Sequence, residues 1–201
     1  VGTLHAHCYR ALGMPAIADL LVEEFSKEYP HYALSRAQQD ALEDQAFEPE
    51  TQTEGDRLYM AMQVLRAQMR SLELWPLSVQ RFARAWDDFK AQTGTVDFTD
   101  MVELALRDID TPPGGRTIGF YDEAQDFTPL ELALVRKWAR GMEYIILAGD
   151  DDQTLYSFKG ATPDAFLDPP VPDDRIHILR QSYRVPRRVQ EVAERWVGGM
   201  T

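Results

Sequence analysis

Apolar residues recur at helical spacing through the first half of the chain and gather into short strand-like runs in the second. Ile17, Leu20, Leu21 and Phe25 follow Pro15, a favourable early helical position for proline. Leu58, Met62, Leu65 and Met69 predict a second amphipathic helix ending before Pro76. Phe82, Ala85, Trp86 and Phe89 predict a third, closed by Gly94. Phe98, Val102, Leu104 and Ala105 predict a short fourth with Asp97 as its cap. Phe47 to Asp56 is acidic, contains Pro49 and Gly55, and reads as a solvated loop. The opening Val1-Gly2-Thr3-Leu4 reads as an extended apolar run.

The pattern changes after Pro112-Pro113-Gly114-Gly115. Thr117 to Tyr121 predicts a short buried strand, followed by a polar break and a helix from Pro129 to about Arg140. Tyr144 to Ala148 predicts a second buried strand, and His177 to Leu179 a third, with a helix starting near Pro186. Strands alternating with helices predict a parallel sheet with crossover helices.

Composition narrows the class without deciding it. In 201 residues, 44% hydrophobic and 27% charged content is ordinary for a globular protein, and no apolar run approaches a membrane span. A single cysteine, Cys8, excludes an internal disulfide framework and fits a reducing cytoplasm. The net charge of -12 would argue against nucleic acid, but it is uneven. Seven acids lie between Arg36 and Arg57 with no base among them, whereas six arginines from Arg175 onward face only Glu191 and Glu194.

Both buried strands are expected to end in carboxylates: Asp122-Glu123-Ala124-Gln125-Asp126 after the first, Gly149-Asp150-Asp151-Asp152-Gln153 after the second. Ligands of open parallel sheets bind beyond the carboxyl ends of the strands. Acids crowded there repel one another unless a cation sits among them, and Mg²⁺ takes one or two carboxylates plus phosphate oxygens and waters. Either run alone is equally readable as helix-capping acids. Two such strand ends in one small sheet favour a metal-phosphate site.

These residues carry a family resemblance. Asp122 to Asp126 after an apolar strand resembles motif II, the Walker B element of superfamily 1 helicases. Ala148-Gly149-Asp150-Asp151-Asp152-Gln153-Thr154-Leu155-Tyr156-Ser157-Phe158-Lys159-Gly160-Ala161 resembles motif III of the UvrD/Rep/PcrA-like branch. Leu179-Arg180-Gln181-Ser182-Tyr183-Arg184 resembles motif IV, with Ser182 where Asn is more usual. Gly2 to Arg10 is similar to the segment (motif Ib) that contacts single-stranded DNA, and Asp97 to Met101 to the Asp-Phe element before motif II. The matches fall in the family's order and cover most of the chain outside residues 14–94.

The resemblance implies an α/β fold, a RecA-like parallel sheet flanked by helices (the P-loop NTPase type, here incomplete), with a mainly helical insertion. Residues 1–13 and 95–175 would belong to a first motor domain, 14–94 to the insertion and 176–201 to the start of a second motor domain. ATP and Mg²⁺ would be the cofactors. Asp122 would hold the metal and Glu123 would orient and deprotonate water. Gln153 would sense the γ-phosphate, Tyr183 stack on adenine and Arg184 act as an arginine finger. Thr3, His5, Tyr156, Phe158 and Lys159 would contact DNA, the aromatics as stacking platforms. The family often has Trp and Arg at 158 and 159, so Phe158 and Lys159 would grip more weakly.

Plainer readings stand beside these. Arg184 on its own reads as a surface cap, and Tyr156 and Phe158 as core aromatics. His5, His7 and Cys8 invite zinc, but structural zinc takes about four ligands, usually with paired cysteines. No lysine of this chain follows a glycine, so the Gly-x-x-x-x-Gly-Lys-Ser/Thr phosphate loop is absent from these residues. The expectation is an internal piece of an ATP-dependent helicase, working on single-stranded DNA and its junctions with duplex with 3′-to-5′ polarity, and inactive alone. The alternatives are a helicase-like module that binds DNA or protein without turnover, and the helicase part of a helicase-nuclease.

Overall fold

Capping side chains decide where several helices begin. The computed structural model describes residues 1–35, 52–150, 161, 168, 170–179 and 185–197, and the chain divides into two units, Val1–Phe166 and Leu167–Thr201. In the first unit, α1 spans Leu4–Ala11, and the Thr3 hydroxyl accepts from the Ala6 amide at 3.2 Å. The opening segment is therefore a helix start rather than an extended run. Leu4 packs against the same core in which Cys8, four residues on, is buried, a helical repeat too short to distinguish from a strand by periodicity. Burial raises the Cys8 thiol to about 12, which leaves it protonated.

The first apolar repeat is divided. Ile17 pairs with Val96 as an isolated parallel bridge, Ala18–Leu20 forms a 3-10 turn, and α2 begins only at Val22, running to Glu28. Helix α3, Glu54–Ala67, starts on a capping box between Thr53 and Asp56. This corrects the end of the expected acidic loop: Asp56 is buried, and its carboxylate accepts from the Ser35 and Thr53 amides, each at 2.9 Å. The rest of that loop, 36–51, lies outside the described residues. Helix α4, Leu77–Thr93, ends at Gly94 in the left-handed region (φ 66°), where glycine carries no Cβ penalty. Helix α5, Phe98–Asp108, starts on the Asp97–Asp100 capping box, with Asp97 as the cap that the sequence predicts.

Two cores result. In one, Phe25 meets Phe82, Trp86 and Phe89 edge-on at 5.8, 4.9 and 5.4 Å between ring centroids, with Met62 and Val79 buried beside them. In the other, Cys8 of α1, Met101, Val102 and Ala105 of α5, and Leu130, Leu134 and Trp138 of α6 (Pro129–Ala139) pack together. The ends of the segment carrying the first core meet, because Ala18 N donates to Val96 O at 2.8 Å and Val96 N to Ala16 O at 3.0 Å.

Strands β1, Ile118–Tyr121, and β2, Tyr144–Leu147, pair in parallel with Ile118 opposite Tyr144 and Tyr121 opposite Leu147. Helix α6 is the crossover between them, as the alternation predicts. The expected burial does not hold: Ile118, Phe120, Tyr144 and Ile146 are exposed. A parallel sheet is buried only where other elements cover both faces, which an apolar run cannot specify by itself.

In the second unit, the expected strand at His177–Leu179 is absent, and Ile178 and Leu179 are exposed. The expected helix is present as α7, Arg187–Val197. Among the described residues no helix is long and apolar enough to cross a membrane.

Candidate functional site

The two strands leave the sheet in step. Ala148 N donates to Tyr121 O at 2.8 Å, and Ala124 N returns a bond to Ala148 O at 2.9 Å. Asp122 and Glu123 lie immediately beyond β1 and are exposed, as is Asp150 beyond β2. Glu123 turns the chain through the left-handed region, φ 52° and ψ 41°, which costs a non-glycine residue about 1–2 kcal/mol. The Asp122 carboxylate accepts from the Glu123 amide at 3.1 Å across this turn. A 3-10 turn over Ala124–Asp126 then leads to Thr128, whose capping box with Glu131 starts α6.

Gln125 holds the turn from beneath. It is 1% exposed. Its Nε2 donates to Glu123 Oε2 at 2.7 Å, and its Oε1 accepts from Asp150 N at 3.1 Å. Gly149 makes the space: a Cβ there would stand 2.5 Å from Gln125 Oε1. The sequence places Gln125 in a motif but gives it no role, because its two partners become neighbours only when β1 and β2 pair.

Asp122, Glu123 and Asp150 supply hard oxygen donors. Among the described residues no group of three or more His, Cys, Asp or Glu is placed to hold a metal. Such a set does not make an all-protein cage. It does fit Mg²⁺, which keeps waters and completes its shell with substrate phosphate.

Thr3 and His5 lie apart from the strand ends in sequence, at the start of α1. Thr3 is exposed and serves as the helix cap. His5 is half-buried, with Nδ1 3.7 Å from Glu131 Oε1 and its ring edge-on to Phe98 at 6.2 Å. Gln153, Tyr156, Phe158, Lys159, Tyr183 and Arg184 lie outside the described residues. Of the expected catalytic groups, the described structure therefore brings together Asp122 and Glu123.

A buried ionic cluster left no sign in the sequence. Asp97, fully buried, accepts from Arg66 Nη1 at 2.7 Å, Trp86 Nε1 at 2.9 Å and Lys90 Nζ at 3.1 Å. Arg66 also pairs with Asp100 and Glu103, and Lys90 with Asp100 at 2.6 Å. Burial alone would raise the Asp97 carboxyl, but Arg66 and Lys90 outweigh it and hold the group at about 2. Asp19 lies behind it, accepting from the Tyr59 hydroxyl and from the Phe98 amide at 3.1 Å. Burial, reinforced by the charge of Asp97, raises Asp19 to about 6. Arginine, lysine and aspartate positions so far apart along the chain carry no pattern that marks their convergence. A surface cavity of about 470 Å³, lined by Arg66, Met69, Trp75, Glu103, Arg107 and Leu130 among others, includes none of the strand-end carboxylates.

Comparison with known proteins adds the family. The family model of the UvrD/REP helicase N-terminal domain matches residues 1–170. The chain is 37% identical over 76 residues to the ATP-dependent DNA helicase UvrD2 of Mycobacterium tuberculosis, covering 37% of this chain and 11% of that protein. It is 26% identical over 110 residues to the ATP-dependent DNA helicase PcrA of Bacillus subtilis, covering 49% and 15%. It is 33% identical over 101 residues to an ATP-dependent helicase/nuclease protein of Desulfitobacterium hafniense, covering 44% and 7%. The aligned stretches thus span 7% to 15% of the length of these curated relatives.

Proposed function

This chain belongs to the UvrD/REP helicase N-terminal domain family, and from that membership we propose that it supplies the catalytic carboxylates of an ATP-driven motor acting on single-stranded DNA. The observation that carries the reading is the pairing of β1 with β2, which sets exposed Asp122 and Glu123 beside exposed Asp150 at the carboxyl ends of adjacent parallel strands.

Asp122 is the metal ligand in this proposal. When bound, Mg²⁺ neutralises phosphate charge. Glu123 orients the attacking water and takes its proton as the bond to the γ-phosphorus forms and the bond to the leaving ADP oxygen breaks. Its exposure leaves the carboxylate open to a water and a phosphate. Gln153 and Arg184 are assigned to the γ-phosphate, Tyr183 to the adenine, and Thr3, His5, Tyr156, Phe158 and Lys159 to the DNA strand. The domain reading assigns 14–94 to a helical insertion, 1–13 with 95–175 to the first motor domain and 176–201 to the second. The separate aromatic core and the Ile17–Val96 junction support the insertion. Translocation runs 3′ to 5′ on this reading, with strand junctions as the working substrate.

No phosphate loop occurs within these residues. Turnover therefore draws on a loop from outside them, and the isolated chain is inactive. The test is ATP hydrolysis by the natural reading frame that carries this chain, with and without single-stranded DNA. DNA-stimulated hydrolysis that Glu123→Gln abolishes while nucleotide binding persists supports the assignment. Hydrolysis that survives this substitution sinks it.

Similarity to a helicase/nuclease protein favours a second reading, in which the same motor serves a helicase-nuclease. DNA cleavage that requires ATP hydrolysis by the same protein would select it.

A further inference from the structure

We propose that Gln125 is the positioning residue of this site, its buried amide tying the Glu123 carboxylate to the backbone of the segment that leaves β2 at Asp150. The inference rests on the catalytic reading of Glu123 and deepens it.

The chemistry of an amide is what the position requires. One end must donate to a carboxylate and the other accept from a backbone N–H, and the two contacts, at 2.7 and 3.1 Å, fix which end is which. A carboxylate at 125 would repel Glu123, and an apolar side chain would lose both bonds. Burial keeps water from competing for either bond. The backbone approach that brings the loops together is equally specific. A Cβ at Gly149 would come within 2.5 Å of Gln125 Oε1, 3.2 Å of Gln125 N and 3.3 Å of Ala124 N.

Glu123 needs such a hold. It sits in the left-handed region, and its carboxylate is exposed. An exposed glutamate samples several rotamers, whereas a general base works only when aimed at the proton it removes. The Gln125 amide fixes one carboxylate oxygen, Oε2, and leaves Oε1 for a water. Because the other end of the amide grips Asp150 N, displacement of the β2 loop moves the carboxylate. Asp150 is three residues before Gln153, so the same loop carries the proposed phosphate sensor. Gln125 thereby couples the position of that loop to the readiness of the base.

The test uses the natural reading frame that carries this chain, as wild type, Glu123→Gln and Gln125→Met, with Mg²⁺-ATP and single-stranded DNA. Gln125→Met keeps the length of the side chain and loses both hydrogen bonds. The expected result is a fall in kcat of about 10–100-fold with KM for ATP and DNA affinity within about twofold, the range for groups that orient a functional residue. Hydrogen exchange at the Asp150 amide should quicken in Gln125→Met and stay unchanged in Glu123→Gln. An unaltered kcat in Gln125→Met overturns the inference while leaving the function standing, and so does a loss confined to KM. Turnover that persists in Glu123→Gln, or a wild type without hydrolysis, overturns the catalytic reading itself. Where Gln125→Met does not fold, Gln125→Asn carries the same test, since one methylene less breaks the reach between the two partners.

Discussion

Arg66 Nη1 lies 2.7 Å from the fully buried Asp97 carboxylate, thirty-one positions along the chain. The pair joins α3 to the start of α5, and Lys90 of α4 reaches the same oxygen. Asp97 is thus both a helix cap and the anionic centre on which three helices converge.

Breaking that pair should be costly. Arg66→Met removes one partner and leaves Asp97 buried, a change that typically destabilises by about 3–5 kcal/mol. Arg57→Ala removes only the exposed i,i+3 pair with Glu54 and should fall within about 0.5 kcal/mol of wild type. Urea unfolding of the chain followed by tryptophan fluorescence compares the two.

Asp19 should make stability depend on pH in the direction opposite to a salt-bridged acid. Its folded value, about 6, lies above the ordinary aspartate value of 3.8, so between these pH values the native state binds more protons than the unfolded chain. Stability from this group therefore falls as pH rises from about 4 to 6. At neutral pH the charged, buried carboxylate costs on the order of 2–3 kcal/mol. Asp97, held at about 2, acts the other way, losing its contribution only as pH drops from about 4 toward 2. Melting temperatures from pH 4 to 7 should fall more in wild type than in Asp19→Asn, the difference between the two cancelling the titration of the rest of the protein.

Thr3→Ala should weaken the start of α1 by about 1 kcal/mol, and Thr3→Asn should restore most of it, since both Thr and Asn cap helices. Thermal unfolding reads the stability. DNA affinity measured well below the melting transition reads the separate proposal that Thr3 touches the strand.

Gly149→Ala should damage the site without touching its charges. The added methyl meets Gln125 Oε1 and two backbone amides, so the amide must move or the loops must part. Overpacking of this kind costs about 1–3 kcal/mol. Guanidinium unfolding should show that loss, and hydrogen exchange at Asp150 should accelerate with it.

How far the sequence foretells this arrangement depends on the range of the interactions involved. Asp97 as a cap, Gly94 as a helix stop and α6 as the crossover between two strands are legible because each rests on neighbours within a few residues. The carboxylates at the end of β1 are legible for the same reason, since an apolar run followed by acids marks a strand end. The Thr53–Asp56 box is lost in a generally acidic stretch, although its spacing is a helix-start signal. Ile17 is misplaced because its partner, Val96, lies far along the chain. The exposure of Ile118 and Phe120 is illegible because strand burial is set by what covers the sheet. The links made by Gln125 and by the Arg66–Asp97 pair are invisible for a shared reason: each joins groups that only folding brings together.

Glu123 as the base of a DNA-stimulated ATPase is tested most directly by hydrolysis in the Glu123→Gln variant of the natural reading frame that carries this chain. Turnover should fall by at least about a hundredfold, the scale of a general base, with nucleotide and DNA binding retained. Turnover equal to wild type would contradict that role and return Asp122 and Glu123 to acids that merely precede a helix.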